Sequence, residues 1–248
     1  MEPGVIEIRG EPIEQLIQSL SFSEMIWLMT MGQRPSPGQH RLLEAALVAA
    51  VDHGPQAPSV ATARMAMTCG VGINNALASG VNMLGDVHGG AGEQALMVFQ
   101  RIAARLPSES LETAVQSVLD ALDVEGVNFI PGFGHRFHKP IDPRAAPLMQ
   151  LLRQTALDDA QVDGYFADIA EAVQSEIGKR KGRPIAMNID GATAAIYAAL
   201  EVPPTLARGL FCLSRSVGLT AHAFEQSTQG ERNKGPTPPH YRWRYTGP

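Results

Sequence analysis

Cysteine is scarce in this sequence, which contains Cys69 and Cys212 and no other cysteine among its 248 residues. The two lie far apart in apolar stretches with helical spacing, so a disulfide framework and a cysteine-rich metal site are excluded, and we expect reduced core residues and no bound metal. Long hydrophobic runs are missing as well, since none reaches the roughly 18 apolar residues that a membrane helix needs. The N-terminal stretch MEPGVIEIRG lacks the basic start and the apolar core of a signal peptide. These absences predict a cytoplasmic protein without a membrane partner.

Charge of either sign is nearly balanced. The formal net charge is −5 at pH 7. Such mild acidity argues against a general nucleic-acid binder, so any basic clusters are local features of the surface. The length suits one large globular domain or two small ones, with enough residues to bury a core.

Apolar residues recur at three- and four-residue spacing through most of the chain, which is typical of amphipathic helices. The helices predicted from this spacing cover residues 41–51, 92–106, 108–123, 145–157, 163–180 and 205–226. The segment VIEI near the N-terminus alternates like a strand instead, and glycine and proline mark the joints between helices. The ending GERNKGPTPPHYRWRYTGP is too rich in proline and glycine to be helical. We therefore predict an all-α protein whose C-terminal segment wraps over a surface.

Two regions differ in composition from the rest of the chain. Residues 107–183 are more charged and more amphipathic, which predicts a smaller, mobile helical domain inserted into a large helical domain formed by residues 1–106 and 184–248. Residues 61–85 are dense in alanine, glycine and serine while remaining apolar. Because small residues let helices approach closely, we expect tight helix packing there, at a subunit interface.

The first segment that can carry chemistry is GDVHGGAGEQAL, in which His88 lies on a glycine-rich turn directly before an amphipathic helix. A helix start supplies unpaired N–H groups and a partial positive charge, so a histidine there is driven toward its neutral form. A neutral imidazole can donate one hydrogen bond to a carbonyl or enolate oxygen. The alternative is that His88 only caps the helix.

The second segment is IPGFGHRFHKPIDPRAAP. His135 follows Gly132 and Gly134, and backbone without side chains leaves space for a ligand while the loop presents the imidazole. Arg136 and Arg144 add guanidinium groups that can bind carboxylates through two parallel hydrogen bonds. The alternative, a solvated basic loop, is disfavoured because prolines hold many polar and titratable groups close together.

The third segment is GKRKGRPIAMNIDGATAAIYAAL. Asp190 follows an apolar stretch and precedes a helix, which is a typical position for an N-cap carboxylate. The same position suits a general base, because partial removal from water raises the proton affinity of a carboxyl group. Lys179 and Lys181 lie just before it in a basic cluster that is either a solvated face or a site for phosphate groups.

The predicted helix 205–226 carries Arg208, Arg215 and His222 at intervals of seven residues. The three side chains therefore project from one face of the helix. An arginine on so apolar a helix needs an anion, which is Glu225, another structural carboxylate or a bound acid.

His53, Arg242 and Arg244 are three further candidates. His53, in VDHGPQAPS, ends a helix before a Gly-Pro turn, where a C-terminal cap is the alternative to ligand binding. Arg242 and Arg244, in the tail, have the same ambiguity between a structural role and ligand binding.

Together, and in this order along the chain, these motifs resemble those of the citrate synthase superfamily. GDVHGGAGE is similar to the first catalytic-histidine motif of that family, PGFGHRFHKPIDPRA to the second, and MNIDG to the catalytic-aspartate motif. SRSVGLTAHAFEQ resembles the late arginine helix, and YRWRYTG resembles the basic C-terminal ending. The resemblance runs from about His53 to the C-terminus, some four-fifths of the sequence.

The resemblance implies an all-helical, two-domain enzyme that acts on coenzyme A thioesters, with an acyl-CoA and a di- or tricarboxylate as its substrates. It implies a homodimer or a higher homo-oligomer whose sites borrow residues across the interface. The implied chemistry joins or splits a carbon–carbon bond between the methyl carbon of acetyl-CoA and the keto carbon of a 2-oxo acid such as oxaloacetate.

The resemblance also assigns roles to residues. Asp190 would move the proton on the α carbon of the thioester, His88 would hydrogen-bond the thioester oxygen, and His135 would exchange a proton with the oxygen of the acid partner. The residues expected to grip the di- or tricarboxylate are His53, Arg144, Arg215, Arg136 and a tail arginine, Arg242 or Arg244, that reaches the neighbouring subunit. From the residues themselves, rather than from the resemblance, we expect Lys179, Lys181, Gly132 and Gly134 at the coenzyme A moiety.

Some features depart from a full-length citrate synthase, which has a substantial further N-terminal helical region where little precedes His53 here. That shortening, together with VDHGPQAPS and MNIDG, resembles citryl-CoA lyases and the lyase module of ATP-citrate lyase. The module has changed the residue that corresponds to His88, which this chain keeps. We therefore favour a stand-alone citryl-CoA lyase-like enzyme. A short citrate or alkylcitrate synthase and a non-catalytic acyl-CoA sensor or scaffold stay open as alternatives.

Overall fold

The computed structural model describes residues 3–134, 141–238, 240–242 and 244–248. The described residues form eleven helices and a short antiparallel ribbon of two strands. In chain order the elements are β1 (Glu7–Ile8), β2 (Glu11–Pro12), α1 (Ile13–Ser19), α2 (Phe22–Met31), α3 (Pro37–Ala50), α4 (Pro58–Thr68), α5 (Ile73–Val81), α6 (Ala91–Ala103), α7 (Leu111–Val124), α8 (Ala145–Asp158), α9 (Tyr165–Lys181), α10 (Ile189–Ala199) and α11 (Pro204–Thr228). The prediction of an all-α fold is confirmed.

The helix ends agree with the apolar spacing of the sequence to within a few residues. The predicted helix 145–157 is α8, and the predicted helix 205–226 is α11. In VIEI, the second half forms β1, which pairs antiparallel with β2. Beyond α11 the described residues contain no helix, as the composition of the tail predicts. Within the described part of the chain, no helix has both the length and the apolar character needed to cross a membrane.

Local capping explains where several helices begin and end. Ser21 precedes α2, where its hydroxyl accepts the Glu24 N–H while the Glu24 carboxylate accepts the Ser21 N–H, which is a capping box. The basic last turn of α9 includes Lys179 and Lys181, whose charges complement the helix dipole. Gly182 then ends α9 in the left-handed conformation.

The chain divides into two compact units. The larger unit consists of Met1–Ala50 and Gly89–Phe211, and the smaller unit consists of Val51–His88 and Cys212–Pro248. The domain boundaries inferred from composition, with a small domain at 107–183, remain a prediction.

In the larger unit, α10 is the central helix and packs against α3, α6, α8 and α9. Every residue of α10 is buried except Asp190, which is partly exposed. The small side chains of IDGATAAIYAA explain this position, because they let four neighbouring helices approach the α10 backbone. Large apolar side chains fill the rest of the core, among them Trp27, Phe99, Leu119, Leu152 and Ile169.

In the smaller unit, α4 and α5 pack against each other closely. A Cβ atom added at Gly80 of α5 would lie 3.0 Å from the Ser59 carbonyl oxygen and 3.0 Å from Cδ2 of Leu219. The buried apolar cluster of this unit contains Ala57, Val60, Ala63 and Leu219. The predicted tight packing within 61–85 is confirmed, whereas the subunit interface stays a prediction.

The prediction that both cysteines are core residues is wrong for Cys69. Neither cysteine forms a disulfide, but Cys69 is exposed because it is the C-cap residue at which α4 ends. Cys212 is partly buried on α11. Apolar spacing predicts that a helix exists better than it predicts its last residue, and exposure at a helix end depends on that residue.

Replacing Gly80 with alanine should destabilise the protein by about 1–3 kcal/mol, because the new methyl group overpacks the contact between α4, α5 and Leu219. Urea unfolding followed by circular dichroism measures the change. Gly209→Ala is the matched control: Gly209 lies in α11, and a Cβ atom there meets nothing within 4 Å. This control should gain up to about 1 kcal/mol from helix propensity. Equal effects of the two variants would contradict the packing interpretation.

Candidate active site

The carboxyl group of Asp190 lies at the start of α10. The prediction that Asp190 caps this helix is wrong, because the N-cap residue is Asn188. The side-chain oxygen of Asn188 accepts the N–H groups of Asp190 at 2.9 Å and Gly191 at 3.2 Å. The Asn188 side chain thus accepts hydrogen bonds from backbone N–H groups in the first turn of α10, so the Asp190 carboxyl group is not the cap. That carboxyl faces α6, since Oδ1 of Asp190 is 4.0 Å from the Cβ position of Gly92.

A short ribbon joins the glycine-rich loop to the residues before α10. The Gly134 N–H donates to the Ala186 carbonyl at 2.7 Å, and the Asn188 N–H donates to the Gly132 carbonyl at 3.0 Å. The Asn188 side-chain amide also donates to the Gly134 carbonyl at 2.7 Å. These bonds fix the loop up to residue 134. The predicted site residues His135 and Arg136 lie outside the described residues.

Gly132 is required by a close approach of two backbones. It has φ +85°, and a Cβ atom there would lie 2.7 Å from the Cα atom of Gly191. A Cβ atom at Gly191 would in turn lie 2.4 Å from the Gly132 carbonyl oxygen. A larger residue at either position therefore forces the loop away from α10. The predicted role of Gly132 and Gly134 at a ligand stays a prediction, and the close backbone contact is a separate reason for glycine at 132.

Arg144 binds a buried carboxylate of its own chain. Nε of Arg144 donates to Oδ1 of Asp142 at 3.0 Å, and Nη2 donates to Oδ2 at 2.8 Å. Asp142 is fully buried, and it also accepts the N–H of Arg144 at 3.0 Å and the N–H of Ile189 at 3.2 Å. Asp142 thereby links the start of α8 to the start of α10. This bidentate pair occupies one edge of the guanidinium group that the sequence assigns to a substrate carboxylate.

The pKa of Asp142 reflects two opposing effects. Burial raises the pKa, but the hydrogen bonds and charge of Arg144, together with the Ile189 N–H, outweigh burial and hold it below the ordinary value of 3.8. Because the folded state has the lower pKa, the carboxylate contributes its full stabilisation above pH 3.8. That stabilisation is lost as the pH falls through the lowered pKa.

In the smaller unit, His88 lies at the N-terminus of α4. The Ser59 N–H donates to Nε2 of His88 at 3.3 Å, and the Ser59 hydroxyl is 2.9 Å from the same nitrogen. Since a backbone N–H can only donate, Nε2 carries a lone pair and the ring proton is on Nδ1. The Nδ1–H group is then the hydrogen-bond donor that His88 can offer to a ligand.

Burial lowers the pKa of His88, and the positive charge of Arg215 lowers it further. The N-terminal dipole of α4 acts in the same direction. The predicted shift toward the neutral form is therefore confirmed in direction, although the sequence assigned it to the helix that follows. The capping alternative is wrong, because the N-cap residue of α6 is Gly90 and no side chain caps that helix.

The two arginines of α11 differ in their surroundings: Arg208 is paired with a carboxylate, and Arg215 is buried. Arg208 forms an ion pair with Glu93 of α6 inside the larger unit, so another structural carboxylate supplies the anion that the apolar helix requires. Glu225 pairs with Arg64 instead. In the smaller unit Arg215 is 4% exposed and His53 is partly buried. The tail residues Arg242 and Arg244 are both exposed.

The basic cluster at the end of α9 is partly neutralised. Nζ of Lys179 lies 3.5 Å from Glu112 and 3.7 Å from Glu176. Arg180 forms ion pairs with Asp120, Asp123 and Glu176. Lys181 is exposed. Apart from the segment outside the described residues, no group of three histidine, cysteine or acidic side chains is arranged to hold a metal ion.

A groove runs along α9 in the larger unit. One cavity of about 790 Å³ is bordered by α8, α9 and residues 184–187, and its walls include Asp142 and Arg153. A second cavity of about 560 Å³ is lined by Gly178, Gly182 and Arg183 and shares part of its wall with the first. The shared wall consists of Glu171, Gln174, Pro184 and Ile185. The groove therefore extends from the start of α8 to the basic end of α9.

Three residues of these sites were not singled out in the sequence: Ser59, Asn188 and Asp142. Asn188 had a usable signal, because asparagine is a strongly preferred N-cap and stands directly before a helical pattern. Ser59 had none, since its partner His88 is distant in the chain, and Asp142 had none because its pairing with Arg144 depends on burial. Only the folded chain identifies them.

Comparison with known proteins identifies the family. A family model for the C-terminal domain of citrate synthase matches residues 5–242, and the chain belongs to the citrate synthase family. A citrate synthase from Haloferax volcanii is 30% identical over 240 residues, which are 96% of this chain and 59% of that protein. A citrate synthase from Heyndrickxia coagulans is 31% identical over 219 residues, which are 87% of this chain and 55% of that protein. The chain thus spans somewhat more than half the length of these two relatives.

A solved structure matches over nearly the whole of both chains. The citryl-CoA lyase from Hydrogenobacter thermophilus superposes with a TM-score of 0.85 at 33% sequence identity. The match covers 100% of this chain and 92% of that chain. The citrate synthase-like helical fold that the resemblance implies is therefore confirmed.

Asp142→Asn should lower the free energy of unfolding by about 3 kcal/mol at pH 7, because it breaks a buried ion pair. The loss should shrink as the pH falls below 3.8, where the wild-type carboxylate loses its own stabilisation. Urea unfolding at a series of pH values measures both effects. Asp168→Asn is the control, since Asp168 also pairs with an arginine but is exposed and should cost less than about 1 kcal/mol. A loss that does not vary with pH would contradict this account.

Proposed function

We propose that the protein is a citryl-CoA lyase-like enzyme that cleaves citryl-CoA, or a close analogue, to acetyl-CoA and oxaloacetate by acid–base catalysis. The observation that carries the proposal is the Asp190 carboxyl, which emerges from an otherwise buried helix beside Gly92. Gly92 is four positions after His88 in the chain. We infer that His88 and Asp190 act on one thioester group.

In the proposed cleavage, His135 accepts the proton of the tertiary hydroxyl group of citryl-CoA. The electron pair of that O–H bond forms the keto group of oxaloacetate, and the carbon–carbon bond breaks. Its electrons pass to the thioester as the enolate of acetyl-CoA. Asp190 then donates a proton to the methylene carbon, which becomes the methyl group. General acid–base steps of this kind each contribute about 10²–10⁴-fold to the rate.

His88 stabilises the enolate oxygen in this scheme. The Ser59 N–H holds Nε2 as an acceptor, so Nδ1–H points its single donor at the thioester oxygen. The lowered pKa of His88 favours the neutral imidazole, which carries one proton. A neutral imidazole suits this task because it can donate one hydrogen bond to an enolate oxygen. A preorganised donor at a developing oxyanion is worth roughly 3–4 kcal/mol.

The carboxylates of the substrate are bound by His53, Arg215, Arg136 and Arg144 in this proposal. Arg144 has already engaged Asp142 through Nε and Nη2, which orients its guanidinium group for a ligand at the opposite edge. A tail arginine, Arg242 or Arg244, completes the site of a neighbouring subunit. The protein would then act as a homodimer or a higher homo-oligomer, and its location in the cytoplasm remains a prediction.

We place the coenzyme A moiety in the groove along α9. The cavity of about 790 Å³ is within the range of small-molecule sites, and the adjoining cavity is lined by Gly178, Gly182 and Arg183 at the basic end of α9. Lys179 and Lys181 would meet the phosphates there. The acidic partners of Lys179 lie at 3.5 Å or more, so a phosphate can compete with them.

Two observations bear on the direction of the reaction. The lyase from H. thermophilus matches this chain at 33% identity over nearly its whole length, which favours cleavage. The curated relatives are named citrate synthases, so condensation of acetyl-CoA with oxaloacetate or another 2-oxo acid is the second candidate. A non-catalytic acyl-CoA sensor is disfavoured, because it has no need for a tautomer fixed at His88 or for a half-buried carboxyl group at Asp190.

The test is to mix the purified protein with citryl-CoA and to couple released oxaloacetate to NADH oxidation. We expect steady NADH loss, reduced about 10²–10³-fold in kcat by His88→Ala and by at least as much by Asp190→Asn. Gly209→Ala is the control variant and should retain wild-type activity. If acetyl-CoA and oxaloacetate instead yield citrate and free CoA, the synthase alternative replaces the lyase. Binding of citryl-CoA without turnover in either direction would contradict both enzyme activities and support the non-catalytic acyl-CoA sensor.

Charge reversal of both lysines, Lys179→Glu with Lys181→Glu, should weaken CoA binding about tenfold. The reason is that two phosphate-facing charges change sign, while the affinity for free oxaloacetate should stay within twofold. Isothermal titration calorimetry with CoA and with oxaloacetate separates the two effects. Lys234→Glu changes an equally exposed lysine elsewhere and is the control. An unchanged affinity for CoA in the double variant would contradict the assignment of the basic cluster to the CoA site.

A further inference from the structure

A carboxylate and an imidazole next to His53 have no role in the chemistry proposed so far. In the smaller unit, Nε2 of His222 lies 3.2 Å from Oδ1 of Asp52, and Oδ2 of Asp52 accepts the Gly54 N–H at 3.1 Å. The two contacts use both oxygens of Asp52, and the residues Asp52 and Gly54 flank His53 in the chain. Burial raises the pKa of Asp52, but the hydrogen bonds of His222 and of the backbone N–H groups outweigh it and hold the pKa below its ordinary value. Asp52 is thus a charged acceptor at neutral pH.

The helix α11 is shaped to meet this turn. A Cβ atom at Gly218 would lie 2.2 Å from the Val51 carbonyl oxygen and 3.2 Å from Oδ1 of Asp52. Glycine therefore lets the α11 backbone touch the start of the turn directly. His222 is one helical turn further along the same face, where its ring reaches Asp52. The turn that carries His53 is held on α11 at two successive points.

A second layer of side chains orients the His222 ring. Nη1 of Arg64 lies 3.5 Å from Nδ1 of His222 and donates to Glu225. Nη2 of Arg64 donates to Gln229 at 2.8 Å. Nδ1 of His222 faces both Arg64 and Glu225, which lies 3.8 Å away. The Arg64 guanidinium favours a proton on Nε2, from which the ring can donate to Asp52.

We propose that Asp52 and His222 are positioning residues that set the distance between His53 and Arg215. Arg215 is seven residues before His222 on α11, which places it two helical turns, about 10.5 Å, along the same face. His53 and Arg215 are the two residues of the smaller unit to which we assign the carboxylates of the substrate. The proposal therefore rests on the proposed function. It adds that the Asp52–His222 pair fixes the spacing at which His53 and Arg215 bind one acid.

The location of the pair argues for a geometric rather than a stabilising role. The side chain of Asp52 is 41% exposed, so its contact with His222 is partly solvated and contributes little to global stability. Displacing His53 or Arg215 by about an ångström, however, can greatly lower the affinity for the substrate or the rate of its reaction. The expected signature is a selective loss of affinity for the acid partner.

The experiment compares His222→Leu, which removes the donor to Asp52, with His222→Gln, which keeps an N–H donor at the end of the side chain. Isothermal titration calorimetry gives Kd for oxaloacetate and Kd for CoA, and the coupled assay gives kcat and KM for citryl-CoA. We expect His222→Leu to raise Kd for oxaloacetate and KM for citryl-CoA about tenfold while Kd for CoA changes less than twofold. His222→Gln should restore both values to within threefold of wild type.

Gln229→Leu is the matched control, because it removes a hydrogen bond of Arg64 on the same helix without reaching Asp52. This variant should leave Kd for oxaloacetate unaltered, and Tm measured for both variants shows whether lost stability accounts for any change in Kd. An unchanged Kd for oxaloacetate in a folded His222→Leu protein, or equal weakening of oxaloacetate and CoA, would overturn the positioning role. A wild-type protein that neither binds oxaloacetate nor turns over any substrate would overturn the proposed function as well, which distinguishes the two failures.

Discussion

The contact between the backbones of Gly132 and Gly191 is the constraint on which the larger unit's site depends. It brings the glycine-rich loop against the first turn of α10, where Asn188 caps the helix and binds the Gly134 carbonyl. The same turn receives Asp142 through the Ile189 N–H. Any residue larger than glycine at either contact would separate these groups. The position of Asp190 thus depends on the absence of side chains at this contact as well as on these hydrogen bonds.

The sequence predicts the helices well and the site in part. Apolar spacing is a local property, so it locates α8 and α11 to within a few residues of their ends. Reactive residue types in ordered motifs identify the family and single out His88 and Asp190. The partners of these residues could not be predicted, because a hydrogen bond such as Ser59 to His88 depends on packing between distant segments. Exposure of Cys69 escaped prediction because it depends on the last residue of α4.

Arg144 has a structural partner that the interpretation of the sequence did not include. Its charge and its place in the loop point to a carboxylate, and the structure supplies one from Asp142, two residues away. The sequence contains both residues, but burial decides that the pair forms, since only a desolvated carboxylate holds an arginine so tightly. The internal carboxylate and a substrate carboxylate are compatible, because a guanidinium group has two usable edges.

The composition of α10 has a consequence for how the protein can change. A helix built mostly of alanine, glycine and threonine meets its neighbours through its backbone, and such interfaces have almost no slack to absorb added volume. Variation in this helix is therefore confined to residues of similar size. The carboxyl group proposed to be catalytic, that of Asp190, is carried by this tightly packed helix, so we expect adaptation to new substrates to come from the surrounding loops rather than from α10.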